Sequence, residues 1–218
     1  ERVKAHETLV GEISDVPAEG ALLPETYTFT RGTTRQDVIN QMVKAQEKLL
    51  AEIWERRVDD LPVKTPEELV ILASIVEKET AKADERPRVA GVFVNRLNRK
   101  MRLESDPTIL YGLYGGEAWL KDRSGIKQSE KSAENRYNTY QINGLPPGPI
   151  GNPGRAAMEA VANPSRTKDI FFVADGTGGH IFAETYEQHQ ANVRKWRKIE
   201  RERRAKEREN NQSNSSAN

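Results

Sequence analysis

The stretch Thr65–Leu97, "TPEELVILASIVEKETAKADERPRVAGVFVNRL", decides the fold. Its opening sets Thr65 as an N-cap, Pro66 at the first helical position and Glu68 at the reciprocal capping-box position. The run "EELVILASIVEKET" that follows is too apolar for a solvent-exposed helix. A second helical run, "RVAGVFVNRLNRK", resumes after "ADERP". The first of these predicted helices ends on two carboxylates, Glu77 and Glu79. Residues two apart on a helix point about 200° away from each other, so the two cannot share a face. Counting back from Glu79 in threes and fours reaches Val76, Ile75 and Leu72, the most apolar stripe. Glu77 counts back to Ser74, Ala73 and Val70, a slightly more polar side. A carboxyl group at the mouth of an apolar wall is desolvated and its pKa rises toward neutrality, as a general acid requires. By charge pattern alone, both acids also read as a plain helix end paired with Lys78, Lys82 or Arg86.

Upstream, "QDVINQMVKAQEKLLAEIWERR" carries apolar residues at three-to-four spacing and predicts a long amphipathic helix starting near Arg35. "EGALLPETYTFTRGTT", Glu19–Thr34, reads as an extended lead-in, and residues 1–18 as the end of another module. Downstream, "SDPT" places Asp106 before Pro107 as a helix cap or, alternatively, a catalytic base. Residues 114–136 read as a polar loop or lobe. "YNTYQINGLPPGPIGNPG" reads as a short β-prone piece, then a Pro/Gly-rich loop that is either a rigid cleft wall around Pro146 or a chain reversal. Pro153 is expected to open a helix. "DIFFVADGTGGHIFAET" predicts a β-hairpin, and Thr185 with Gln188 a capping box before a final charged helix. The polar end "NNQSNSSAN" is expected to be disordered. The fold class is α+β, mainly helical with a small antiparallel sheet.

Composition excludes several classes. The 218 residues hold 34 Lys+Arg against 33 Asp+Glu, a net charge of +1, so no global field draws in nucleic acid. With no cysteine there is no disulfide, thiolate chemistry or Cys-based zinc site. "DGTGGH" lacks the Gly-Lys-Ser/Thr of a phosphate loop, and His180 sits in no acidic ligand pattern, so neither cofactor nor metal is expected. No window approaches the ~20 apolar residues of a membrane span. The chain opens on Glu1 rather than Met, which reads as a soluble region separated from a targeting segment.

The strings "LASIVEKET", "VFVNRL", "MRLESDPTILYG", "YNTYQINGLPPGPIGNPG" and "FFVADGTGGHIF" resemble, in order and spacing, the endolytic murein transglycosylase (YceG-like) family over roughly Glu19–Arg197. The resemblance implies a domain layout in which 1–18 end a LysM-like lobe, 19–200 form the catalytic domain and 201–218 a charged helix end and tail. It also implies a single-pass anchor in the bacterial inner membrane, with the catalytic domain on the periplasmic side and peptidoglycan synthases as partners. The implied reaction cleaves the bond between N-acetylmuramic acid and N-acetylglucosamine in nascent glycan strands, leaving 1,6-anhydromuramic ends. Lytic transglycosylases place their catalytic glutamate before a Ser or Thr, which favours Glu79 with Thr80 over Glu77. Asn138, Thr139 and Tyr140 are candidates to orient the sugar, Tyr140 by stacking; they read equally as a hydrogen-bonded strand edge. The rival readings are a non-catalytic peptidoglycan-binding module and a two-carboxylate hydrolase using Asp106 or Glu77.

Overall fold

The computed structural model describes residues 2–120 and 125–215 and falls into two compact units, Glu1–Arg166 and Thr167–Asn218. The division at Arg166 lies within the span expected to be one catalytic domain, and residues 1–18 cluster with the helical unit.

The first unit begins with a short helix α1, Arg2–Ala5, and a long helix α2, Arg35–Glu55. Thr34 caps α2 through a full capping box with Asp37, which lowers the Asp37 pKa by hydrogen bonding to its charged form. Arg35 then ties the N-terminal segment down: its guanidinium donates to the carbonyls of Lys4, His6, Leu9 and Gly11.

The predicted central helix is α3, Pro66–Glu79, and it packs against α2, α4 (Arg86–Asn98), α5 (Asp106–Tyr114) and α7 (Arg155–Ala162). Leu69, Leu72, Ile75 and Val76 of α3 meet a core that includes Ile53, Val89, Val92, Phe93, Ile109, Ile150 and Met158, all essentially inaccessible. That continuous burial is why the α3 run is apolar on several faces. Thr65 accepts from the Glu68 N–H at 3.2 Å as expected, but the Glu68 carboxylate reaches the N–H of Lys64 rather than that of the cap. α4 approaches the 163–166 segment so closely that a Cβ at Gly91 would lie 2.6 Å from the Ser165 carbonyl oxygen.

Four other sequence expectations are corrected. Ser105, not Asp106, is the N-cap residue of α5; Asp106 is the first helical residue. Residues 114–136 hold a 3-10 helix at Gly115–Trp119 and a short helix α6, Gln128–Ser132; residues 121–124 lie outside the described ones. "YNTYQ" forms successive turns, not a strand, because the Gln141 and Ile142 N–H groups both bond the Asn138 carbonyl. α7 begins at Arg155 with Gly154 as its cap, two residues after Pro153.

In the second unit, β1 (Phe171–Ala174) and β2 (His180–Ala183) form the expected antiparallel hairpin, with Phe171 opposite Ala183 and Ala174 opposite His180. The Asp175 carboxylate closes its turn by accepting from the N–H groups of Thr177 and Gly179. α8, Tyr186–Ser215, starts at the Thr185–Gln188 capping box and packs on both strands. Its helix continues through Asn210–Ser215, part of the tail expected to be disordered. No Gly or Pro interrupts the chain beyond Tyr186 to stop it. Among the described residues no helix is long and apolar enough to cross a membrane.

Candidate active site

The last turn of α3 brings its apolar wall to an end at Glu79. Thr80 leaves the helix in an extended conformation (φ −144°, ψ 132°), and its hydroxyl accepts from the Lys82 N–H at 3.1 Å. Thr80 is thus a buried C-cap that fixes where the helix stops.

Glu79 is half-buried, and its Oε1 accepts a 2.5 Å hydrogen bond from the Ser105 hydroxyl. Burial pushes its pKa from 4.5 up to about 7, with the Asp106 charge adding to the rise. The Ser105 hydrogen bond and the Arg96 guanidinium act in the opposite direction, since both favour the charged form. A carboxylate at a helix C-terminus is also opposed by the helix dipole. The resulting acid holds its proton near neutrality and can still release it.

Glu77 faces elsewhere. Its Oε2 accepts from the Gly154 N–H at 3.2 Å, placing a negative charge at the start of α7. The two carboxylates therefore serve different segments, in keeping with their 200° separation on the helix. Between them, Lys78 lies with its ammonium 4.4 Å from the centre of the Trp119 ring, and burial lowers its pKa. The loop at 145–154 is pinned to the same helix: the Ile150 N–H donates to Ser74 Oγ at 3.0 Å, and Trp119 Nε1 donates to the Ile150 carbonyl at 3.1 Å. Pro146 is buried within this loop.

Across from Glu79, the Tyr140 hydroxyl donates to Asp106 Oδ1 at 2.7 Å, and Lys131 Nζ lies 3.5 Å from the same oxygen. Burial, then the Asp106 charge, push the Tyr140 pKa far up, so the phenol stays protonated. Asn138 and Thr139 are fully buried. The Asn138 amide donates to the carbonyls of Lys131 and Ala133 and accepts from the Tyr140 N–H, which shapes the turn. Thr139 Oγ1 accepts from the Ser105 N–H at 2.9 Å. Thr139 thus anchors the residue whose hydroxyl meets Glu79, whereas the Asn138 side chain serves its own turn. Gly112 permits this turn to approach α5, since a Cβ there would fall on the Asn135 side chain.

Sequence reasoning passed over Ser105, Thr108 and Arg96. Arg96 is buried and its Nη1 donates to the carbonyls of Arg102 and Leu103 and to Glu104 Oε2, at 3.0, 3.2 and 2.9 Å. It thereby holds the α4–α5 connection, where Lys100 and Glu104 adopt left-handed φ values of 56° and 54°. The available signal was "SDPT" itself, which names a cap but not the carboxylate 26 residues earlier that the cap hydroxyl meets. Among the described residues, no group of three or more His, Cys, Asp or Glu is arranged to hold a metal ion. The groove of about 520 Å³ beside α2, lined by Leu9, Tyr27, Phe29 and Met42 among others, does not include Glu79.

Residues 2–195 match the profile of the YceG-like family. The chain belongs to the YceG-like family. Its relatives include a protein of Streptococcus pneumoniae serotype 2 named endolytic murein transglycosylase, 38% identical over 179 residues, which cover 80% of this chain and 31% of that protein. A Bacillus subtilis protein of the same name is 34% identical over 181 residues, 83% of this chain and 48% of the relative. This YceG-like chain thus spans a third to a half of the relatives it matches. A crystal structure of a YceG-like protein from Listeria monocytogenes superposes with a TM-score of 0.66 at 32% identity, covering 87% of this chain and 58% of that one.

Proposed function

We propose that this chain is the catalytic part of an endolytic peptidoglycan lytic transglycosylase in which Glu79 is both acid and base. The observation that carries this is the Glu79 carboxyl, set at the end of an apolar helix with its Oε1 held by the Ser105 hydroxyl, where burial pushes its pKa up to about 7. The names of the relatives supply the substrate class. Protonated Glu79 gives its proton to the glycosidic oxygen as the bond from the muramic C1 breaks. The resulting carboxylate takes the proton of that sugar's C6 hydroxyl, whose oxygen closes on C1. The products are an anhydro end and a new glycan end, no water is consumed, and the acid is restored. One carboxyl suffices for this route, whereas a hydrolase normally uses two. Glu77 is committed to Gly154, and Asp106 to Tyr140 and Lys131.

The family resemblance supports placing the whole protein at the bacterial inner membrane through an N-terminal anchor, with synthases as neighbours and residues 1–18 as the end of a LysM-like lobe. The test of the reaction is mass spectrometry of products from nascent peptidoglycan incubated with the intact protein. Anhydro ends are expected; products heavier by one water would establish hydrolysis, and glycan binding without any product a binding module.

A further inference from the structure

We propose that Ser105 is a positioning residue that divides the two oxygens of Glu79 between tasks: its hydroxyl holds Oε1, leaving Oε2 to give and take the proton. This rests on the acid/base reading of Glu79.

Ser105 occupies the N-cap position of α5, yet its hydroxyl makes no cap bond. An N-cap hydroxyl normally accepts from the second or third helical N–H. Here the second position is Pro107, which has no N–H, and the Thr108 N–H bonds the Ser105 carbonyl instead, at 3.2 Å. The hydroxyl is thus available to donate to Glu79.

The main chain of Ser105 is fixed from both sides. Its N–H donates to Thr139 Oγ1 at 2.9 Å, its carbonyl accepts from Thr108 Oγ1 at 2.7 Å, and the two threonine hydroxyls lie 2.8 Å apart. All three residues are at most 1% exposed, so water does not compete for these bonds. The preceding Glu104 is held in its left-handed conformation by Arg96 and by its N–H bond to the Thr139 carbonyl, 3.2 Å. Segments far apart in sequence therefore fix the main chain from which one hydroxyl reaches Glu79.

The consequence is proton bookkeeping. A neutral carboxyl accepts at its carbonyl oxygen and donates from its hydroxyl oxygen. With Ser105 donating to Oε1, the proton resides on Oε2. Oε2 delivers it to the glycosidic oxygen, then takes one from the C6 hydroxyl, while Oε1 keeps the same donor throughout. The charge that exists between the two steps is thereby shared with a prepositioned group. The charged groups facing Glu79 are Arg96 from α4, which favours ionisation, and Asp106 from α5, which opposes it. Glu104 is paired with Arg96, and the Tyr140 hydroxyl and Lys131 of α6 are directed at Asp106.

The experiment compares the intact protein with Ser105→Ala, Ser105→Thr, Glu79→Gln and the Ser105→Ala/Glu79→Gln double variant, measuring melting temperature and kcat against pH from about 5 to 9. Ser105→Ala should lower kcat about ten-fold with little change in KM and move the alkaline limb of the rate profile up by about one pH unit. Ser105→Thr, which keeps the hydroxyl, should restore the profile. The melting deficit of Ser105→Ala should widen as pH rises through 7 and lose its pH dependence in the Glu79→Gln background. Superimposable pH profiles, or a melting deficit independent of pH, overturn the proposal. An active Glu79→Gln instead refutes the acid/base reading, and the melting comparison still decides whether Ser105 governs the Glu79 carboxyl.

Discussion

Replacing Glu79 by Gln tests the site through stability as well as rate. Burial pushes the Glu79 pKa from 4.5 up to about 7, a gap of about 2.5 on the pH scale. At about 1.4 kcal/mol per unit, that corresponds to a linkage of at most about 3.5 kcal/mol. The sign follows from the direction. A raised folded pKa means the native state binds the proton more tightly, so the contribution is fully present below about pH 4.5 and is lost as pH rises through about 7. Gln carries no charge at any pH and close to the same volume, so it escapes that loss. Glu79→Gln should match the parent near pH 4.5 and exceed it by up to about 3 kcal/mol at pH 8, or roughly 6 to 12 °C in Tm for a chain of this size. Turnover should fall by at least about 10²- to 10⁴-fold, because the amide cannot exchange a proton. The assay is paired urea or thermal unfolding of both proteins at several pH values, alongside detection of anhydro-ended products. A stability difference that stays flat between pH 5 and 8 refutes the burial argument, and a fully active variant refutes the catalytic assignment.

Glu77→Gln should retain turnover within a few-fold and cost at most about 1 kcal/mol, since the amide oxygen can still accept from Gly154; an inactive but folded variant would move the chemistry to Glu77. Arg96→Met should cost more than about 2 kcal/mol by stripping a buried donor from the Arg102 and Leu103 carbonyls, and kcat should fall because Ser105 is no longer held; unchanged melting and rate would show the connection to be self-supporting. Gly112→Ala should cost about 1 to 3 kcal/mol by overpacking against Asn135, read as a lowered Tm, whereas a neutral result would show that the 135–140 turn yields freely.

The helical core was legible wherever local chemistry announced itself. Thr65, Pro66 and Glu68 mark the start of α3, and the apolar period of α2 and the strands around Asp175–Gly179 need no distant partner to be recognised. The opposing directions of Glu77 and Glu79 follow from helix geometry alone. Asp106 lies one residue past the observed cap: Ser and Asp both favour that position, and it is the Thr108 N–H bond to the Ser105 carbonyl that starts the helix at Asp106. "YNTYQ" looked β-prone by residue type, but the Asn138 side chain competes for backbone partners and folds the segment into turns. What no local pattern carries is the meeting of Ser105, Thr139 and Glu79, because each lies 26 residues or more from its partner in the chain.

The last turn of α3 sends Glu77 to one wall, Lys78 to Trp119 and Glu79 to Ser105, so the helix works like an indexed shaft. Deleting one residue between Thr65 and Glu79 would rotate everything beyond it by about 100° and draw it back by about 1.5 Å. Glu79 would then leave Ser105, and Glu77 would leave Gly154. Substitutions in α3 are open to compensation by their neighbours, but its residue count is not. Natural variation in the length of homologous chains should therefore fall in the connections and spare this helix.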